Sequence, residues 1–130
     1  MNKIVLSSFM FVTIFVTIQM VYVEAFNIGI AKDERVTFFN NLTVPLVVSC
    51  RDKDRIVEYE TVDPGNGYSL KFTVFTLIPS SLWYCNFVWL REDHNFNIYV
   101  QKRDRCSRSG CVWYIKEEGP CKVGGECYKW

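Results

Sequence analysis

Histidine is almost missing from this chain: the only one is His94. A general acid or base needs neighbours that orient it, and only Glu92 and Asp93 of the same polar stretch stand close in sequence. His94 therefore reads as a surface loop residue. No glycine-flanked nucleophilic serine occurs either, which removes the usual hydrolase signature. An excess of charge is also lacking, since 15 Lys and Arg against 14 Asp and Glu leave +1. A nearly neutral protein has no global field for nucleic acid or an anionic membrane, so any electrostatic partner is met locally. Beyond the first 25 residues there is no second long apolar run and hardly any 3.6-residue periodicity. That excludes a helical bundle and argues against stable membrane insertion of the remainder.

What is present begins with a leader. Lys3 supplies one positive charge, and an apolar stretch from Ile4 to Val23 follows, relieved only by Ser7, Ser8, Thr13, Thr17 and Gln19. It closes on Val23-Glu24-Ala25, a small-residue ending that suits cleavage after Ala25. About 20 apolar residues would also span a bilayer as an anchor. The short positive start and the cleavage-like end favour a signal peptide over residues 1–25. The remaining 105 of the 130 residues make one domain. All six cysteines (Cys50, Cys85, Cys106, Cys111, Cys121 and Cys127) fall within it. An even number in a small exported domain predicts three disulfides. Zinc is disfavoured, because Cys106-x4-Cys111 and Cys121-x5-Cys127 do not form the usual pair of short-spaced ligand sets. No metal or cofactor is expected.

Strict alternation then predicts an all-β, antiparallel sandwich. Val36, Phe38, Asn40 and Leu42 share one face, and Leu46, Val48 and Cys50 share the next beyond Pro45. Arg51 to Arg55 must be a solvated turn, given the cost of burying unpaired charge. Ile56 to Val62 is a weaker, polar strand. Asp63-Pro64-Gly65-Asn66-Gly67 is a strong turn signal, after which Tyr68, Leu70, Phe72 and Val74 alternate cleanly. Trp83, Cys85, Phe87 and Trp89 line a central strand; Arg91 to Asn95 reads as a loop. Phe96, Ile98 and Val100 resume the alternation, and Cys111, Trp113 and Ile115 make the last clear strand. The glycines and proline from Gly119 to Gly125 predict an irregular tail. Trp83, Trp89 and Trp113 are assigned to the core, and Trp130 is expected to be the exposed tryptophan.

These motifs resemble the plant self-incompatibility S1 family, the S-protein homologues. The resemblance rests on Val36-x-Phe38-x-Asn40-x-Leu42, Leu46-x-Val48-x-Cys50, the glycine-led strand Gly67 to Phe72, Cys85-x-Phe87-x-Trp89, Phe96-x-x-Tyr99, and Cys111-x-Trp113-x-Ile115-x-x-Glu118-Gly119. It covers nearly all of residues 35–119. It implies a small secreted plant protein with a β-sandwich fold and four characteristic cysteines, at Cys50, Cys85, Cys106 and Cys111. It further implies a non-enzymatic, monomeric ligand for a cell-surface receptor; founding members tell pollen whether it is self. Ser49 departs from the family, which often has His before the first cysteine. Cys121 and Cys127 follow the family's usual end and are expected to pair with each other. Six cysteines allow 15 pairings. Cys106 and Cys111 are expected to reach back to Cys50 and Cys85, with a Cys106–Cys111 hairpin tip as the alternative.

Four further features are candidates for function. Asn41-Leu42-Thr43 is a glycosylation sequon, and Asn41 is out of phase with Val36 and Phe38, so it should face solvent. Lys102, Arg103, Arg105 and Arg108 form a basic stretch, with Asp104 the one acid among them. This stretch is a candidate recognition loop for an acidic partner, held by Cys106 and Cys111. The pairs Glu58/Glu60 and Glu117/Glu118 have the residue type of a glycosidase but read more simply as solvated strand and turn positions. A secreted defence protein acting on a microbe or a pathogen enzyme is the alternative to the receptor ligand.

Overall fold

The computed structural model describes Lys3–Asn27 and residues 30–130. Within them the alternating segments become strands: β1 (Ala31–Asn40), β2 (Leu46–Arg51), β3 (Ile56–Val62), β4 (Gly67–Phe75), β5 (Leu82–Trp89), β6 (Glu92–Val100), β7 (Cys111–Lys116) and β8 (Gly119–Lys122). One helix, α1 (Lys3–Asn27), precedes them. The strands form two four-stranded sheets, ordered β4-β1-β7-β8 and β3-β2-β5-β6. All neighbours are antiparallel except β1 and β7, which run parallel with Val36 beside Cys111 and Asn40 beside Ile115.

The core is the sum of the inward faces. Val36, Phe38, Leu70, Phe72, Val74, Trp113 and Ile115 come from one sheet; Leu46, Val48, Trp83, Phe87, Trp89 and Ile98 come from the other. Aromatic rings join the layers edge-on: Phe38 meets Phe87 at 5.6 Å, Phe72 meets Tyr99 at 4.8 Å and Phe96 meets Trp113 at 5.2 Å. Such edge-to-face pairs add to what area burial already supplies. The three core tryptophans expected from the alternation are all buried. Asn40, also on the inner face, stays polar inside because both amide hydrogens and the amide oxygen have partners. Its Nδ2 donates to the carbonyls of Val44 and Val62 at 2.8 Å, and its Oδ1 accepts from the Leu42 amide at 2.8 Å. This ties down the 41–45 loop, so β1 ends at Asn40 and Leu42 is buried from the loop rather than from the strand.

All six cysteines are paired; Cys121 and Cys127 join each other as expected, but Cys106 and Cys111 do not reach back to Cys50 and Cys85. Cys50 bonds Cys85, Cys106 bonds Cys111, and Cys121 bonds Cys127. Cys50 and Cys85 are register partners on β2 and β5, which brings them together within one sheet. Cys106 pairs with its hairpin neighbour Cys111, five residues on. Loop-closure entropy predicts unequal contributions, because the first bridge spans 35 residues and the last only 6. Replacing Cys50 and Cys85 by alanine should cost about 4 kcal/mol, and replacing Cys121 and Cys127 about 2 kcal/mol. Thermal melts of the two double variants should reproduce that ordering.

Three segments depart from the alternation. β6 starts at Glu92, so residues 92–95 of the polar stretch are strand and only Arg91 lies in the turn. His94 pairs in register with Phe87 and is half-buried, because it is in phase with Phe96 and Ile98. A bulge against Trp83 and Tyr84 then shifts the register, so that Ile98 and Tyr99 are both buried and Val100 is only partly so. The tail is also ordered: β8 pairs with β7, and the chain turns back to bridge Cys121 with Cys127. Gly119 permits this with φ +148°, and a Cβ there would run into the Tyr128 carbonyl. Trp130 is consequently half-buried, not exposed. It stacks on His94 at 4.8 Å, lies 5.8 Å from Trp89, and donates from Nε1 to the Lys116 carbonyl at 3.1 Å.

Candidate functional site

Strand register divides the connections between two ends of the sandwich. Asn40 lies beside Ile115, and Val47 beside Val88, so the turns after β1, β3, β5 and β7 gather at one end. The β2–β3 turn, the β4–β5 loop and the β6–β7 connection gather at the other. The two candidate features from sequence are thereby separated. Asn41 is exposed at the first end. The basic stretch lies at the second.

The 101–110 connection is built around a buried carboxylate. Asp104 is 3% exposed. It accepts from the Val100 amide at 2.8 Å, from Arg103 Nε at 3.0 Å and Nη2 at 2.8 Å, and from Lys122 Nζ at 2.8 Å. Burial alone would push the Asp104 carboxyl up. The hydrogen bonds from Arg103, Lys122 and the Val100 amide outweigh it and hold the group below the ordinary carboxylate range. The Arg103 guanidinium also sits over Phe96 at 5.2 Å, Trp113 at 5.3 Å and Tyr128 at 5.5 Å. Its Nη2 donates to the Asn97 carbonyl at 2.8 Å. Arg103 is therefore an internal clamp, not a group offered to a partner. Lys102, Arg105 and Arg108 are exposed. Among the described residues none of the three has an ion-pair partner.

The Cys106–Cys111 bridge and the Ser107–Gly110 pairing shape the tip that carries Arg108. Gly110, at φ +94°, lies against the Arg35 carbonyl, and a Cβ there would collide with it. This fixes the tip to β1 and opens a groove of about 560 Å³, in which Arg108 and Arg55 face Lys32, Glu34 and Lys71. A second groove of about 540 Å³ shares Arg55 and continues across the β2–β3 turn to the start of β5. Of the acids here, Asp54 is exposed with no ion-pair partner among the described residues, and the others are used locally. Asp52 caps its own turn by accepting from the Asp54 and Arg55 amides, Asp33 accepts from Thr73, and the buried Glu34 pairs with Lys32 at 3.1 Å. Glu34 also accepts from Tyr99 Oη at 3.4 Å; burial first, and then the Glu34 charge, push that phenol well above its usual range. Lys53, Lys71, Lys102, Arg105 and Arg108 are left facing outward, so this end presents net positive charge on a neutral protein.

The remaining sequence candidates do not join this site. His94 is held by Trp130 and by Glu92 Oε2 at 2.8 Å, at the opposite end. Glu117 and Glu118 are exposed in the β7–β8 turn, and Glu58 and Glu60 are exposed on β3. The contribution of Arg55, far away in sequence, was not legible, because it depends on which turns share an end.

A family model for the plant self-incompatibility protein S1 matches residues 35–130, past residue 119 and through both tail cysteines. S-protein homolog 2 of Arabidopsis thaliana is 34% identical over 102 residues, covering 70% of this chain and 62% of that protein. S-protein homolog 5 of the same plant is 33% identical over 88 residues, 66% of this chain and 68% of its own length. S-protein homolog 20 is 31% identical over 91 residues, 67% of each. The chain thus spans about two thirds of the length of these relatives. No solved structure matches.

Proposed function

Since the chain belongs to the plant self-incompatibility S1 family, we propose that it is an exported recognition ligand that engages a cell-surface receptor through the basic end of its sandwich. The observation that carries this is the division of labour in the 101–110 connection. Asp104 and Arg103 are committed inward, while Lys102, Arg105 and Arg108 are held outward on a frame clamped by a disulfide. A rigid scaffold with a projecting charged loop acts by complementarity to an acidic partner surface, without turnover. Export rests on α1. From Val5 to Val21 its residues are exposed on all sides, and it has no polar face with which to remain in water. Residues 1–25 act as a cleaved signal peptide, and the exported domain begins at Phe26. Asn41 carries the glycan at the opposite end, where it leaves the basic end uncovered.

Reversing Lys102, Arg105 and Arg108 to glutamate should weaken capture of solubilised plant plasma-membrane receptor by at least about tenfold, with the melting temperature unchanged. Arg103→Glu should instead lower the melting temperature, since it destroys the clamp. Undiminished capture by the triple variant would sink the receptor reading.

A further inference from the structure

The outer face of the β3-β2-β5-β6 sheet carries a further groove, which adjoins the basic end at Arg51 and Tyr84 but contains none of Lys102, Arg105 and Arg108. At the edge of this sheet Glu58 and Tyr59 together stand opposite the single residue Ser49, as a bulge in the β2–β3 pairing. Tyr59 adopts φ +31° there, an uncommon conformation for a bulky residue. The residue is nevertheless 77% exposed. Packing does not explain a strained backbone that displays an aromatic ring to water, and strain of this kind concentrates at ligand sites. Below the bulge lies a groove of about 360 Å³, with Tyr59 and Tyr84 as its aromatic lining.

The polar lining is neutral in sum. Arg51 lies over the Tyr84 ring at 5.3 Å, and Glu58 supplies the one opposing charge. The rest is hydroxyl and amide. Asn86 Nδ2 donates to Asp93 Oδ1 at 2.5 Å and to Asn95 Oδ1 at 2.8 Å, which leaves the Asn86 oxygen and the Asn95 nitrogen without partners among the described residues. The hydroxyls of Ser49, Tyr59 and Tyr84 are likewise unpartnered among the described residues. Two rings set among donors and acceptors match a molecule whose faces are C–H and whose edges are hydroxyl. We propose that this groove binds an uncharged oligosaccharide, with the Tyr59 and Tyr84 rings against pyranose faces and the Asn86–Asn95 pair reading hydroxyls. The balance of Arg51 by Glu58 disfavours polyuronates and anionic lipid. Because β3 is an edge strand, the groove is open at its side, and a chain longer than the site can run through it.

The test is calorimetric titration of the oxidised, exported protein with cellohexaose, xylohexaose, mannohexaose and galactohexaose, beside hexagalacturonate. At least one neutral hexasaccharide should bind. Tyr59→Ser should weaken that binding by about tenfold with an unchanged circular dichroism spectrum, since one stacking ring is lost. Tyr84→Phe, which keeps the ring and removes the hydroxyl, should weaken it less. The Lys102, Arg105 and Arg108 reversal should leave sugar binding untouched, so this site and the basic end fail or succeed separately. Binding of none of the neutral sugars, binding of hexagalacturonate alone, or indifference to Tyr59→Ser would each overturn the proposal.

Discussion

Asp104→Ala is expected to destabilise the domain by about 3–5 kcal/mol, because it strands two cations in an aromatic enclosure rather than deleting one surface charge. Arg103 and Lys122 have side chains only 28% and 18% exposed, and both converge on Asp104. The Val100 amide also loses its acceptor. For a domain of this size the melting temperature should fall by about 12–40 °C. The same carboxylate sets an acid limit. Its folded-state pKa lies below the ordinary value of 3.8, so its contribution is fully present above that value. It is lost as pH falls below 3.8 and through the lower folded-state pKa, where the unfolded chain binds the proton first. Denaturant titrations at neutral pH and at successively lower pH should show the wild type losing this increment. Asp104→Asn, which has no such proton to bind, should follow a flatter pH curve. An Asp104→Ala melt within a few degrees of wild type would show that the cluster is ornamental.

The second large effect is expected at Asn40. Asn40→Ala removes three hydrogen bonds at once and leaves the Val44 and Val62 carbonyls and the Leu42 amide to find other partners. Unsatisfied buried groups cost about 1–3 kcal/mol each, and partial access of water to the loop brings the sum to about 3–5 kcal/mol. Asn40→Asp tests the direction of the bonds. It keeps an acceptor for Leu42 but sets a carboxylate against two carbonyl oxygens, so it should be at least as damaging as alanine. Urea midpoints of the two variants decide this. An aspartate variant as stable as wild type would contradict the assignment of the amide nitrogen to the two carbonyls.

Much of the architecture was legible because period two survives wherever a strand is flanked by regular partners. Leu70 to Val74 and Trp83 to Trp89 bury the side chains that their spacing assigns inward, with Tyr68 half-buried at the strand start. Legibility fails where a long-range partner breaks the phase. The bulge that puts Tyr99 beside Ile98 is imposed by β5. The polar start of β6 is strand because Trp89 and Trp130 supply an apolar surface for His94. The tail is ordered by a carbonyl–amide exchange with β8 that its glycines concealed. The Cys50–Cys85 pairing follows from the β2–β5 register, which no cysteine spacing encodes, whereas the close Cys121–Cys127 pair was legible. At the basic end, sequence located the loop but not its division. Arg103 differs from Lys102 and Arg105 only by which way the chain turns around Asp104.

The parallel pairing of β1 with β7 has a consequence for biogenesis. Val36 waits for Cys111, 75 positions further along the chain, before its strand gains the second of its two neighbours. At ordinary elongation rates that interval is about 4–15 s, longer than most elementary folding events. Through it the nascent chain keeps a greasy ribbon available to other nascent chains. For the exported chain proposed above, shielding of β1 during that interval, and not the final free energy, is expected to set the yield of folded protein.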